Sequence, residues 1–92
     1  MKIHDLKILP EYFEAVLNGS KTFELRKDDR DIQVGDVLHL KEYDKTNGLY
    51  TGQMIIKKVL YILRNVPEYG LKEGYCIIGF NGMKGGKNEV NN

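Results

Sequence analysis

Two periods of apolar spacing alternate along this chain. His4 to Ile8 follows period two, with Leu6 and Ile8 on one face and Asp5 and Lys7 on the other, which predicts a short half-buried strand. The period then lengthens. Leu9-Pro10-Glu11 opens a helix, because proline suits the first helical position and a carboxylate there suits the positive helix end. Tyr12, Phe13, Val16 and Leu17 form the inward stripe of that helix over residues 11–18. Asn18-Gly19 ends it, since glycine tolerates the left-handed backbone found after many helices. Period two returns at Thr22 to Arg26. There Phe23 and Leu25 take the core face, and Thr22, Glu24 and Arg26 the opposite one.

The charged run Lys27-Asp28-Asp29-Arg30-Asp31 reads as a loop whose adjacent aspartates form a turn rather than a metal site. Val34-Gly35-Asp36 is a tight turn launching a strand over residues 37–43. In that strand Val37, His39, Lys41 and Tyr43 share one face, and Leu38, Leu40 and Glu42 the other. Asn47-Gly48 is a strong hairpin signal. Tyr50 to Leu63 is long enough for one bent strand or two, with Val59, Tyr61 and Leu63 in phase near its end. Residues 65–74 form a loop broken by Pro67 and Gly70, and Tyr75 to Phe80 is the last strand. The domain is thus expected over residues 1–81. A Gly/Asn/Lys-rich tail over 82–92 has too few apolar residues to build a core. One helix near the N-terminus and five to six short strands make an α+β domain, and the many turn signals point to a small closed or partly closed mixed barrel.

Composition narrows the function classes. Ninety-two residues make one domain. No apolar run approaches the roughly 18 residues that span a bilayer, and the N-terminus lacks the apolar segment of a secretion signal. The one cysteine, Cys76, sits in the apolar run of the last strand and is expected to be a buried structural thiol. A cytoplasmic protein with no membrane association, no cofactor and no metal is the expectation. Residues 1–80 carry twelve Lys/Arg and twelve Asp/Glu, so the net +1 comes from the tail. Nucleic-acid binding would therefore need a local patch, because the overall charge does not supply one.

The candidate chemistry lies in Gly19-Ser20-Lys21-Thr22-Phe23-Glu24-Leu25-Arg26. A lysine at a strand entry, with a glutamate and an arginine two residues apart on the strand, sets two cations and an anion on rigid backbone. Such a group binds a polar ligand, moves a proton, or is simply a surface ion pair. The Gly-x-Lys-x-x-Glu pattern with a following Arg resembles the signature of the ASCH domain (activating signal cointegrator homology), a branch of the PUA-like barrels. The flanking runs Lys7-Ile8-Leu9-Pro10-Glu11-Tyr12-Phe13 and Lys27 to Asp36 are similar to those of small bacterial and phage ASCH-like proteins, so the resemblance spans about residues 3–80. It implies a PUA-like barrel with the helix against its mouth, and a ligand cleft holding Lys21, Glu24 and Arg26.

The resemblance implies an RNA- or (modified) nucleotide-binding module, with Tyr43, Tyr50 or Tyr75 available to stack on a base. It also leaves an enzyme open. Some bacterial ASCH proteins hydrolyse the amide of an N4-acylated cytidine with a lysine, a threonine and a distant glutamate. Lys21 stands at the lysine position here, but Glu24 replaces the threonine, Thr22 lies on another step of the strand, and Glu73 aligns loosely with the distant glutamate. Lys21 and Glu24 are the catalytic candidates, with Glu24 as a water-activating base and Lys21 stabilising charge; His4 and His39 are further possible proton carriers. A protein-interaction domain with a vestigial pocket is the third reading.

Overall fold

A computed structural model describes residues 1–82, so the expected tail lies, but for its first residue, outside the described residues. Strand β1 (Ile3–Ile8) buries His4, Leu6 and Ile8 and exposes the residues between them. The chain passes through Leu9 into helix α1 (Pro10–Leu17), which starts on its proline. Phe13 and Val16 are buried and Leu17 packs against the same core, whereas Tyr12 turns out of the expected stripe and is 46% exposed. Gly19 follows the helix with φ +88°, the left-handed conformation that the Asn-Gly stop requires.

Strands β2 (Phe23–Lys27), β3 (Val37–Asp44), β4 (Leu49–Arg64) and β5 (Tyr75–Phe80) complete one five-stranded sheet in the order β1-β3-β4-β5-β2. β1 and β3 run parallel, and every other neighbour pair is antiparallel. The 16-residue β4 serves both halves, pairing first with β3 and then with β5. A register shift between Val59 and Tyr61 divides them. Before it, Ile55, Lys57 and Val59 are buried; after it, Ile62 and Arg64 are the more sheltered residues. An extra residue at a bulge sends the following side chains to the opposite faces. Tyr61 is therefore 65% exposed and out of phase with Val59, contrary to the expected alternation.

The sheet does not close. β1 and β2 are its two edges and do not pair with each other, so the expected five- to six-stranded PUA-like barrel is corrected to an open mixed sheet with one main helix. The physical reason lies between the edges. Arginine side chains occupy the place of a hydrogen-bond ladder: Arg26 Nη1 donates to the Lys7 carbonyl at 3.0 Å and Arg30 Nη1 to the Asp5 carbonyl at 2.6 Å. These bonds give two carbonyls of β1 side-chain donors in place of a strand partner.

One cluster forms the core. Leu6, Ile8, Leu38, Leu40, Ile55, Val59, Cys76, Ile78 and Phe80 line one side of the sheet, and Phe13 and Val16 of α1 join them. Each such side chain contributes about 1.5–3 kcal/mol by leaving water. Cys76 is a buried thiol, as expected, and burial together with the nearby Asp28 carboxylate pushes its pKa up. A polar anchor sits at the head of β3. Gln33 to Asp36 forms a turn closed by the Asp36 N–H on the Gln33 carbonyl, with Gly35 at φ +96°. The buried Asp36 carboxylate then accepts from the Lys2 and Gln33 N–H groups and faces His4 Nε2 at 2.9 Å. Asp28, expected as a turn former, instead accepts two bonds from Arg64, at 2.6 and 3.1 Å, and ties its loop to the end of β4.

Candidate functional site

The register of the edge strand decides the site. β2 pairs with β5 so that Glu24 lies beside Ile78 and Arg26 beside Cys76. Ile78 and Cys76 face the core, so Glu24 and Arg26 do too. Phe23 and Leu25 point the other way and are 46% and 59% exposed. The expected phase of this strand is therefore inverted: the charges turn inward and the apolar side chains outward.

A carboxylate in that position needs partners, because an unpaired buried charge is costly. Glu24, only 6% exposed, has one for each oxygen. Lys21 Nζ donates to Oε1 at 2.6 Å and Arg26 Nη1 to Oε2 at 2.9 Å. Short charge-assisted bonds of this kind are about twice as strong as neutral ones. Lys21 also donates to the Phe23 carbonyl at 2.6 Å, which locks its stem against the turn it comes from. The three residues proposed from the sequence thus converge, as two cations and one anion with a net charge of +1.

Above them lies a cleft of about 470 Å³ between the end of β1, the start of α1 and β2. Lys21, Glu24 and Arg26 line it, together with Lys7, Leu9, Tyr12, Phe23 and Leu25. The Lys21 ammonium stands 5.5 Å from the centroid of the Tyr12 ring and 4.9 Å from that of Phe23, so two aromatic rings adjoin it. Tyr12 and Phe23 were both expected in the core. Their role was hidden because apolar residues in a periodic pattern read as packing. The strand phase that would have revealed Phe23 depends on pairing with β5, more than fifty residues away.

The other candidates fall elsewhere. Tyr43 is on the outer face of β3, where its ring lies under Lys7 Nζ at 4.2 Å and meets Tyr50 edge-on at 5.0 Å. It does not line the cleft. Tyr75 lies beneath Lys72. His39 leans on Asp5 at 3.4 Å and His4 on Asp36, so neither reaches the cleft. Thr22 and Glu73 are exposed and outside its lining.

This arrangement limits the chemistry. Each oxygen of Glu24 accepts a bond from a cation, so the carboxylate positions Lys21 and Arg26. What the cleft offers a ligand is a net positive floor, two exposed rings and an apolar rim. Among the described residues, no group of three His, Cys, Asp or Glu side chains is placed to hold a metal ion, and no helix is long and apolar enough to cross a membrane.

Comparison with known proteins finds a family and a phage relative. The family model of a domain of unknown function, DUF3850, matches residues 3–80, which take in the whole sheet and the helix. An "uncharacterized 12.9 kDa protein in GpA 3′ region" of Escherichia phage P2 is 40% identical over 58 residues, 63% of this chain and 51% of the phage protein. The chain therefore spans about half the length of that relative. Neither description names a ligand or a reaction.

Proposed function

The chain belongs to the DUF3850 family, and we propose that this domain is a binding module for RNA or a modified nucleotide, with one base held in the cleft between β1, α1 and β2. The observation that carries this reading is the pair of half-exposed rings, Tyr12 and Phe23, close to a lysine fixed by a buried glutamate. Exposed rings beside ordered cations suit a flat aromatic ligand that bears a phosphate. Stacking of a base on such a ring contributes about 1–3 kcal/mol. Glu24 acts as a positioning residue by holding Lys21 and Arg26, which present N–H donors to a base edge or a phosphate. The resemblance of Gly19 to Arg26 to the ASCH signature adds to the same reading.

The test is a titration of the protein with uridine and cytidine monophosphates and with N4-acetylcytidine, followed by NMR chemical shifts. Perturbations should centre on Tyr12, Lys21, Phe23 and Leu25. Phe23→Ala, which removes an exposed ring and leaves the ion group intact, should weaken binding by about 5- to 150-fold. Absence of any shift change at millimolar ligand, or changes confined to other surfaces, would rule the cleft out.

A further inference from the structure

Strand β1 separates two concavities. One is the cleft already described. The other, of about 510 Å³, lies on the outer face of β1, β3 and β4 and includes Asp5, Lys41, Tyr50 and Met54 in its lining. Lys7 links them. It lines the cleft, and its ammonium lies 4.2 Å over the ring of Tyr43, which meets Tyr50 edge-on. Side-chain contacts thus lead from Lys7, which lines the cleft with Tyr12 and Phe23, to the Tyr43–Tyr50 pair, of which Tyr50 is 55% exposed.

Lys7 and Lys41 are direct partners in the β1–β3 register, and Lys58 lies beside Val37 on the same face. Like charges on neighbouring strands repel each other. Among the described residues, the carboxylate paired with these cations is Asp5, at 3.2 Å from Lys41 and 3.4 Å from His39, and it remains largely exposed. Residues 1–80 balance in charge overall, so this is a local excess of cations beside exposed rings. Anionic backbone with unstacked bases complements it.

We propose that the ligand is a single-stranded polynucleotide rather than a free nucleotide. One base enters the cleft, the next phosphate lies over Lys7 and Lys41, and the following base stacks on Tyr50 and Tyr43. This rests on the cleft reading above and extends it to a second surface.

The test compares uridine monophosphate, the RNA tetranucleotide U4 and the DNA tetranucleotide dT4 on the full chain, by calorimetry over a salt series. U4 should bind more tightly than the monophosphate by about tenfold or more, as one further stacked base provides. Its dependence of log K on log salt should steepen by about 0.7 for each added phosphate engaged. Tyr50→Ala should remove most of that gain, and Lys41→Gln should flatten the salt slope, while binding of the monophosphate stays unchanged in both. Equal binding of dT4 supports a path read by stacking and phosphate; tighter binding of U4 supports the same path with RNA as the source. If the monophosphate binds in the cleft but U4 binds no better, or if neither variant alters U4, the path is refuted and the cleft reading stands. If neither ligand binds, both fall.

Discussion

Arg26→Met isolates the guanidinium that spans the two sheet edges. Arg26 Nη1 makes two bonds, to Glu24 Oε2 at 2.9 Å and to the Lys7 carbonyl at 3.0 Å. Methionine keeps an apolar stem of similar reach and removes both. Glu24 is then left with Lys21 alone, and its Oε2 loses a partner at a place that is 6% exposed. A hydrogen bond to a charged group contributes about 1.5–3 kcal/mol, and a buried acceptor left without one adds its desolvation cost. The Arg26 side chain is itself 26% exposed, so solvent screens part of the pair and the lower half of that range applies. The freed Lys7 carbonyl lies at an edge and regains water at a cost of about 0.5 kcal/mol. The expected loss is about 2–3 kcal/mol, which at a urea m-value near 1 kcal/mol/M lowers the midpoint by about 2–3 M. Adding Glu24→Gln removes the orphaned charge while keeping an oxygen for Lys21. The double variant should therefore be more stable than Arg26→Met by about 1 kcal/mol. A loss below about 0.5 kcal/mol in the single variant, or no recovery in the double, would refute the view of Glu24 as a buried charge that needs both cations.

Phe13→Ala should cost about 3–5 kcal/mol in a denaturant titration, because this helix side chain is 2% exposed among the core strands; a loss under about 1 kcal/mol would mean that α1 is not core. The Asp36 carboxyl is held well below its ordinary value, first by the His4 bond and then by the Gln33 and Lys2 N–H groups; the Arg64 bonds lower that of Asp28. Carboxyls with lowered folded values stabilise fully above the unfolded value, about 3.8, and lose that contribution as pH falls below it. The urea midpoint should then fall steeply below about pH 4, and less steeply in Asp36→Asn; identical acid limbs would contradict this. The purified protein should not hydrolyse N4-acetylcytidine, since Glu24 stands where the acylcytidine hydrolases it resembles have a threonine. Turnover near the enzyme median of about 10 s⁻¹ would restore a catalytic reading.

Legibility in the sequence followed the range of the forces involved. The last strand, Tyr75–Phe80, is observed with the bounds its pattern predicts, because an apolar run between Gly74 and Asn81-Gly82 needs only local information. The faces of β1 and β3 were equally readable: Leu6 and Ile8, and Leu38 and Leu40, are buried as their alternation requires. The end of β4 was misread because one bulge reverses its phase, and the alternation of Val59, Tyr61 and Leu63 gives no sign of it. Closure was misread because it depends on whether β1 and β2 come within hydrogen-bonding distance. Two arginine side chains settle that question, and no pattern of strand signals reports it. The convergence of Lys21, Glu24 and Arg26 was readable from their spacing, but the direction in which they converge was not.

That direction bears on function. A strand with Phe23 and Leu25 inward and its charges in water would have gained burial, at about 25 cal/mol per Å² of apolar surface, and avoided desolvating an ion group. β2 does the opposite: it buries Glu24 and leaves Phe23 half exposed and Leu25 more so at the rim of a cleft. The register with β5 imposes this phase, and the local sequence accommodates it by placing one cation before Glu24 and one after. Where local preference and tertiary placement disagree so openly, the position is more often a working surface than a core. Both exposed rings of the cleft border this one edge, Phe23 from the inverted strand and Tyr12 from the helix across the gap. The ring-lined cleft thus lies at the open edge of the sheet, and the inverted strand supplies one of its two rings.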